Sequence, residues 1–393
     1  MSAESFQSLG VAPKLVEALA RDGIGAPFPI QALTIRDALA GRDVCGKAKT
    51  GSGKTLAFGI PTLMQVASAQ PGHPSALVLV PTRELAVQVT EVLEPLGSAV
   101  DRRVVAVYGG ADLDRQVKLI NDGADLIVAT PGRLIDLSDR QAISLDEIAI
   151  LVVDEADRMA DMGFMPQVEW LLRKMTSRTQ TLLFSATLDS AVDQLVRRYL
   201  NDPVLHEVIS RTVTVDQMEH HFFKVHEMDK AEVAASVVRG ADKALVFVKT
   251  KRGADRLTTA LKGSGVRAGA IHGDLHQGVR ERAMVDFATG KIHTLVATDV
   301  AARGLDIEGV DLVVHYDPAE DHKAYLHRSG RTARAGQAGV VVTLGLWNEE
   351  LMIERLQRRL GLKVPFIEVF SNDPRLGVLA QQAEEDGALR SEA

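Results

Sequence analysis

Cysteine is almost missing from this chain. Cys45 stands alone among 393 residues, so no intrachain disulfide can form, and a reducing compartment is expected. Aromatic residues make up only 4%, which argues against a surface built mainly on stacked bases. Long apolar runs are missing as well. The longest, Ile148–Val153, has six residues, where a bilayer span needs about 18 or more. Met1–Phe6 has no basic stretch leading into an apolar run, so no secretory signal is expected. A surplus of positive charge is also absent. Lys and Arg total 45 against 52 Asp and Glu, a net charge of -7, which excludes a polybasic coat but not a local basic groove. No low-complexity tract or short-period repeat occurs. A soluble cytoplasmic protein with no membrane partner is expected.

What is present is ordinary globular composition, 46% hydrophobic and 25% charged, over a length that suits two domains. Short β-branched runs alternate with helical patterns. Leu77–Val80, Val104–Val107, Leu126–Val128, Ile150–Val153 and Thr181–Phe184 read as buried strands. The theme recurs at Leu245–Val248, Thr294–Ala297, Leu312–Val314 and Val340–Thr343. Near-continuous apolar runs of this length suit parallel strands covered on both faces. The expected fold is therefore α/β, with two tandem doubly wound, mostly parallel sheets. The expected domains are 1–206 and 217–370, with a linker over 207–216 and a short acidic tail over 371–393. Charge is uneven: -6 over residues 1–210, +2 over 211–370 and -3 over 371–393.

Two motifs carry chemistry on their own terms. Ala48-Lys49-Thr50-Gly51-Ser52-Gly53-Lys54-Thr55 follows a short strand, Asp43–Gly46, and precedes a helical pattern. Glycines let the backbone curl and aim several N–H groups at one phosphate, helped by the helix N-terminus. Lys54 then reaches the β/γ-phosphates and Thr55 offers a hydroxyl to Mg²⁺. Downstream, the apolar run Leu151–Val153 ends in Asp154-Glu155-Ala156-Asp157. Carboxylates at the C-terminal edge of such a sheet lie where ligands bind. Asp154 is placed to hold Mg²⁺ and Glu155 to orient a water for in-line attack on the γ-phosphorus. Together they point to nucleoside triphosphate hydrolysis.

These motifs and several others resemble the DEAD-box family of ATP-dependent RNA helicases. The signature stands as Asp154-Glu155-Ala156-Asp157. In the family's order come Pro81-Thr82-Arg83-Glu84-Leu85, Gly109-Gly110, Thr130-Pro131-Gly132-Arg133 and Ser185-Ala186-Thr187. The second half adds Val246-Phe247-Val248, Thr298–Asp306 and His327–Arg334. The resemblance runs from about Phe6 to about Thr343. It implies two RecA-like domains, ATP with Mg²⁺ in a cleft between them, and RNA across both. It further implies that Gln31 reads the adenine edge with Phe6 behind it, and that Ser185, Thr187 and His327 couple the nucleotide to RNA. Gly304 and Asp306 would approach the nucleotide, and Arg331 and Arg334 would act as arginine fingers. Thr82, Arg83, Gly109, Gly110, Thr130, Arg133, Thr298 and Asp299 would contact the RNA backbone without reading sequence.

This chain departs from the pattern near the adenine. Ile24 stands where the family usually has an aromatic, and Phe28 where Ser or Thr is common. Lys49 replaces the usual Gln in the phosphate loop, and Ser329 and Ala333 replace common residues in the last motif. Met159, Met162 and Met165 read as core, Cys45 as buried and inert, and His272 with His276 as no metal pair. A monomer is expected, with a protein partner or ribonucleoprotein left as a source of RNA specificity. An ATP-gated RNA clamp and a DNA translocase stand as competing readings.

Overall fold

The structure, a computed structural model, describes residues 4–49, 51–208, 218–302, 307, 310–332 and 339–379. The chain divides into two compact units between Ser210 and Arg211. Unit 1 holds strands β1 (Val44–Lys47), β2 (Ala76–Leu79), β3 (Val104–Val107), β4 (Leu126–Ala129), β5 (Ile150–Val153), β6 (Gln180–Ser185) and β7 (Val204–Glu207). They form one parallel sheet in the order β3-β4-β2-β5-β6-β1-β7. Parallel neighbours need long crossovers, and helices such as Lys54–Gln65 and Arg83–Ala99 supply them. Alternate side chains of one strand face opposite sides. Ile150 and Val152 of β5 accordingly enter one apolar core, and Leu151 and Val153 the other. Both faces are covered, which is why the strand sequence is apolar throughout.

Unit 2 holds β8 (Met218–Lys224), β9 (Ala244–Val248), β10 (Ala268–Ile271), β11 (Thr294–Thr298), β12 (Leu312–His315), β13 (Gly339–Gly345) and β14 (Phe366–Glu368). Their parallel order is β10-β11-β9-β12-β13-β8-β14. Counted from its own first strand, unit 2 has the same order as unit 1. The expected α/β class and the two doubly wound sheets are both observed.

Four strands escaped the sequence reading: β7, β8, β10 and β14. Of the residues expected as linker, Glu207 ends β7, and 209–216 lie outside the described residues. Of the segment expected as an acidic tail, residues 371–379 are described. Pro374–Gly377 forms a 3₁₀ turn, and Leu376 and Leu379 are buried in unit 2. These leucines add apolar area to a core, which outweighs the polar look of the segment. Residues 380–393 lie outside the described residues. Cys45 is buried on β1, and burial pushes its thiol up to about 11. Met159 is buried, and Phe164 and Met165 pack against the same core.

Candidate active site and nucleic-acid face

The phosphate loop leaves β1 at Lys47 and enters the helix at Lys54. Gly53 caps that helix with φ +83°, a conformation that disfavours a side chain. A Cβ there would also come within 2.7 Å of the Phe28 ring. Lys54 is buried, and its ammonium donates to the Ala48 carbonyl at 3.0 Å. The Ser52 hydroxyl donates to the Lys49 carbonyl at 2.7 Å. Gly51 also has positive φ, and Thr55 is half-buried at the second helical position. Thr50 lies outside the described residues. Gln31 is buried beside the loop. Its carbonyl oxygen accepts from the Phe28 N–H at 2.8 Å, and its amide donates to the Gly53 carbonyl at 2.9 Å. Phe6 is buried in the unit-1 core, and Ile24 packs against that core. Phe28 is 54% exposed.

The acidic cluster follows β5, two places from β1 across β6. Asp154 is 3% exposed and accepts from the Glu155 N–H at 2.9 Å. Burial, reinforced by Glu155 and Asp157 and opposed by Lys54, pushes its carboxyl up to about 7. Glu155 has φ +52° and ψ +50°, a left-handed backbone on a non-glycine residue. Its buried carboxylate pairs with Arg158, one turn on. Asp157 ties the cluster to the end of β6. Its N–H donates to the Ser185 hydroxyl at 3.2 Å. Its carboxylate accepts from the Thr187 N–H at 3.0 Å and the Thr187 hydroxyl at 3.2 Å. The Ser185 carbonyl in turn accepts from the Ala48 N–H at 3.0 Å. The loop, the acids and Ser185-Ala186-Thr187 are therefore joined by direct hydrogen bonds.

A second cluster lies at the ends of β2, β3 and β4, on the other side of the same sheet edge. The Thr82 hydroxyl caps the helix Arg83–Ala99, accepting from the Leu85 N–H at 3.3 Å. The Arg83 guanidinium lies against Gly110, where a Cβ would fall 2.8 Å from its central carbon. Arg133 donates to the Ala111 carbonyl from both terminal nitrogens at 3.3 Å. Thr130 precedes the helix Pro131–Asp139 that carries Arg133. Arg83, Gly109, Gly110, Thr130 and Arg133 thus gather around one short stretch, with two guanidinium groups and a helix N-terminus.

In unit 2, Thr298 ends β11 and Asp299 follows it. The Asp299 carboxylate accepts two hydrogen bonds of 2.7 Å from Arg328. Arg328 is buried, donates to the Asp317 carbonyl at 2.7 Å and lies 5.2 Å over the Phe247 ring. His327 shares the helix His322–Ser329, and Arg331 lies two residues beyond its end. Gly304, Asp306 and Arg334 lie outside the described residues. Lys249 and Lys251 are paired with Glu320 and Asp274. Asp157, Arg158 and Arg328 are structural members of the site without an expected role of their own. Their type and motif membership were visible, but their partners lie on other segments or one turn away.

A family model for the DEAD/DEAH box helicase matches residues 28–195, and one for the helicase conserved C-terminal domain matches 229–336. The DEAD-box ATP-dependent RNA helicase CshA of Geobacillus kaustophilus is 41% identical over 90% of this chain and 76% of its own. The chain belongs to the DEAD-box ATP-dependent RNA helicase family. This DEAD-box helicase is also 42% identical to CshA of Listeria monocytogenes, over 86% of this chain and 65% of that one. Dbp5 of S. cerevisiae bound to RNA and ADP BeF3 is similar in structure, at 31% identity and a TM-score of 0.81. That match covers 97% of this chain and 100% of that one. The DEAD-box helicase described here is thus an ATP-hydrolysing enzyme that uses nucleotide and binds RNA. No helix among its described residues is long and apolar enough to cross a membrane.

The donor set fits Mg²⁺. A carboxylate held at low exposure with a raised pKa gains from a nearby cation, and Thr55 adds a hard oxygen. Among the described residues no group of three or more His, Cys, Asp and Glu could hold a metal alone.

Proposed function

We propose that this protein couples RNA-stimulated ATP hydrolysis to local, sequence-independent separation of short RNA duplexes or remodelling of ribonucleoproteins. The observation that carries this reading is the division of one sheet edge. The phosphate loop and Asp154–Asp157 follow β1 and β5, while Arg83, Gly110 and Arg133 follow β2, β3 and β4. Lys54 and the loop N–H groups bind the phosphates. Thr55 and Asp154 would hold Mg²⁺, which when bound offsets phosphate charge. Glu155 orients the attacking water. Gln31 and Phe6 serve the adenine side, and Ala48, Thr50, Gly51, Ser52 and Gly53 bind the nucleotide with Lys54.

From the second unit, Arg331 and Arg334 stabilise the charge of the transferring phosphoryl group, an effect of about 10³–10⁵ in rate. Gly304 and Asp306 serve the same nucleotide. Ser185, Thr187 and His327 transmit its state. Thr82, Arg83, Gly109, Gly110, Thr130, Arg133, Thr298 and Asp299 grip the RNA backbone, where contacts position but do not read sequence. The protein works as a cytoplasmic monomer, and a partner protein or ribonucleoprotein supplies the choice of RNA. The test is ATP turnover with and without single-stranded RNA. Stimulation that is lost in Arg331→Ala, with ATP binding intact, supports the reading. Equal rates with and without RNA overturn it.

A further inference from the structure

The shared strand order makes positions in the two units comparable. In unit 1, the first residue of the helix after β1 is the buried Lys54, and Asp154 follows β5. In unit 2, the first residue of the helix after β8 is Lys230, and Asp317 lies two residues beyond β12. Lys230 is only 5% exposed, and its ammonium lies 3.8 Å from the Asp317 carboxylate. Here the resemblance ends. Val225-His226-Glu227-Met228-Asp229, which leads into the helix, contains no glycine. The Tyr316 ring lies 4.8 Å from the Lys230 ammonium. Nothing remains to cradle a phosphate, so the buried cation must serve its own chain.

Asp317 shows what it serves. Its carboxylate accepts from the Lys249 N–H at 2.7 Å, fixing the end of β9. Its N–H donates to the Phe247 carbonyl at 3.2 Å. Its carbonyl accepts from Arg328 at 2.7 Å, and Arg328 grips Asp299 with its other two nitrogens. We infer that Lys230 and Asp317 are a phosphate-site pair turned inward, a strut that positions Arg328 and, through it, Asp299 and the segment leading to Arg331. Lys230 is a positioning residue and touches no substrate. The inference rests on the proposed function for its effect on turnover, but not for its effect on Arg328.

The test uses the full chain with Lys230→Met, Asp317→Asn and Lys230→Arg. Misplacing groups by about 1 Å through a remote change lowers rates up to about 100-fold. Lys230→Met and Asp317→Asn should lower RNA-stimulated kcat about tenfold or more while KM for ATP stays within about twofold. Lys230→Arg should recover most of kcat. A fall in both parameters together, or no rescue by arginine, marks a merely structural role and overturns the strut. The Arg328 Nε–H resonance, compared between wild type and Lys230→Met, reads the same link without ATP. An unchanged resonance overturns the strut even if the protein hydrolyses ATP. If wild type shows no RNA stimulation, the functional reading fails instead, and a shifted resonance still supports the strut.

Discussion

Glu155 holds a backbone conformation that costs about 1–3 kcal/mol for a non-glycine residue. It persists because both neighbours are pinned. Asp154 is fixed at the end of β5 through its N–H to the Leu79 carbonyl at 2.9 Å, and Asp157 is held by Ser185 and Thr187. The turn keeps Asp154 and Glu155 together at one strand end. Arg158 pairs with the buried Glu155 carboxylate. Glu155→Gln removes the anion and leaves the loop contacts of Lys54 intact. Nucleotide binding should stay within about threefold of wild type, while single-turnover hydrolysis falls about 10²–10⁴-fold, the usual worth of a general base. Fluorescent-nucleotide titration and quenched-flow hydrolysis separate the two. Comparable losses in both would place Glu155 in binding, not in chemistry.

At the scale of elements, the joints between strand ends matter most. Asp157 receives the Thr187 N–H and hydroxyl, so the segment after β6 cannot shift without disturbing the acids after β5. A hydrogen bond to a charged group contributes about 1.5–3 kcal/mol. Thr187→Val keeps the shape and loses the hydroxyl. RNA-stimulated ATPase should fall no more than about threefold, whereas duplex separation falls about tenfold or more, since 1.4 kcal/mol is tenfold. Equal falls in both would deny a coupling role. A different joint supports the helix His322–Ser329. His315 is buried under it, stacks on Tyr325 at 4.6 Å, and meets the Ser329 hydroxyl at 3.2 Å. Burial, then Arg328 and His220, holds its pKa well below the ordinary 6.5. The unfolded chain takes up a proton below about 6.5 and the folded one does not. Its stabilising effect is therefore complete above that pH and lost as pH falls toward the folded value. Unit 2 should lose more stability between pH 7.5 and 5.5 than a His315→Gln variant does. Trp347 fluorescence in a Trp170→Phe background reports this during urea unfolding. Parallel pH profiles would remove His315 from the account.

The same elements show what could be read in advance. Strands β2, β4, β5 and β9 are buried on both faces and stand out as apolar runs. Strands β7 and β14 lie at sheet edges, β7 alternates in exposure and β14 has no fully buried residue, and β8 carries Glu219, His220 and His221 among its apolar residues. Their pattern is diluted by polar residues whose partners are remote, as with His220 and the Tyr325 hydroxyl at 2.7 Å. The candidate site was legible where a contiguous motif carries the chemistry, at Lys54, Asp154 and Glu155. It was not legible where a partner comes from elsewhere in the chain. Gln31 bonding to Gly53, Asp299 gripping Arg328 and Lys230 facing Asp317 are pairings that spacing does not reveal.

For the whole molecule, charge sets the terms of RNA binding. The net charge is -7, with the acidity in residues 1–210 and 371–393 and a small positive excess between. On the candidate RNA face of unit 1, the guanidinium groups are Arg83 and Arg133. Arg133 is partly tied to the Ala111 carbonyl. Much of the grip must then come from N–H groups, which bond phosphate without adding a full charge. Single-strand affinity falls with salt at a log–log slope of about -0.7 per neutralised phosphate. With about three to five such phosphates the slope should be about -2 to -3.5, a loss of about 10- to 100-fold between 50 and 200 mM salt. Fluorescence anisotropy on unstructured RNA across that range gives the slope. Removing Arg83 or Arg133 should reduce its magnitude by about 0.7 each, equally for different RNA sequences. A wild-type slope steeper than about -6 would demand a strongly basic surface, at odds with this charge distribution. A slope unchanged in both arginine variants would move the RNA path away from the ends of β2, β3 and β4.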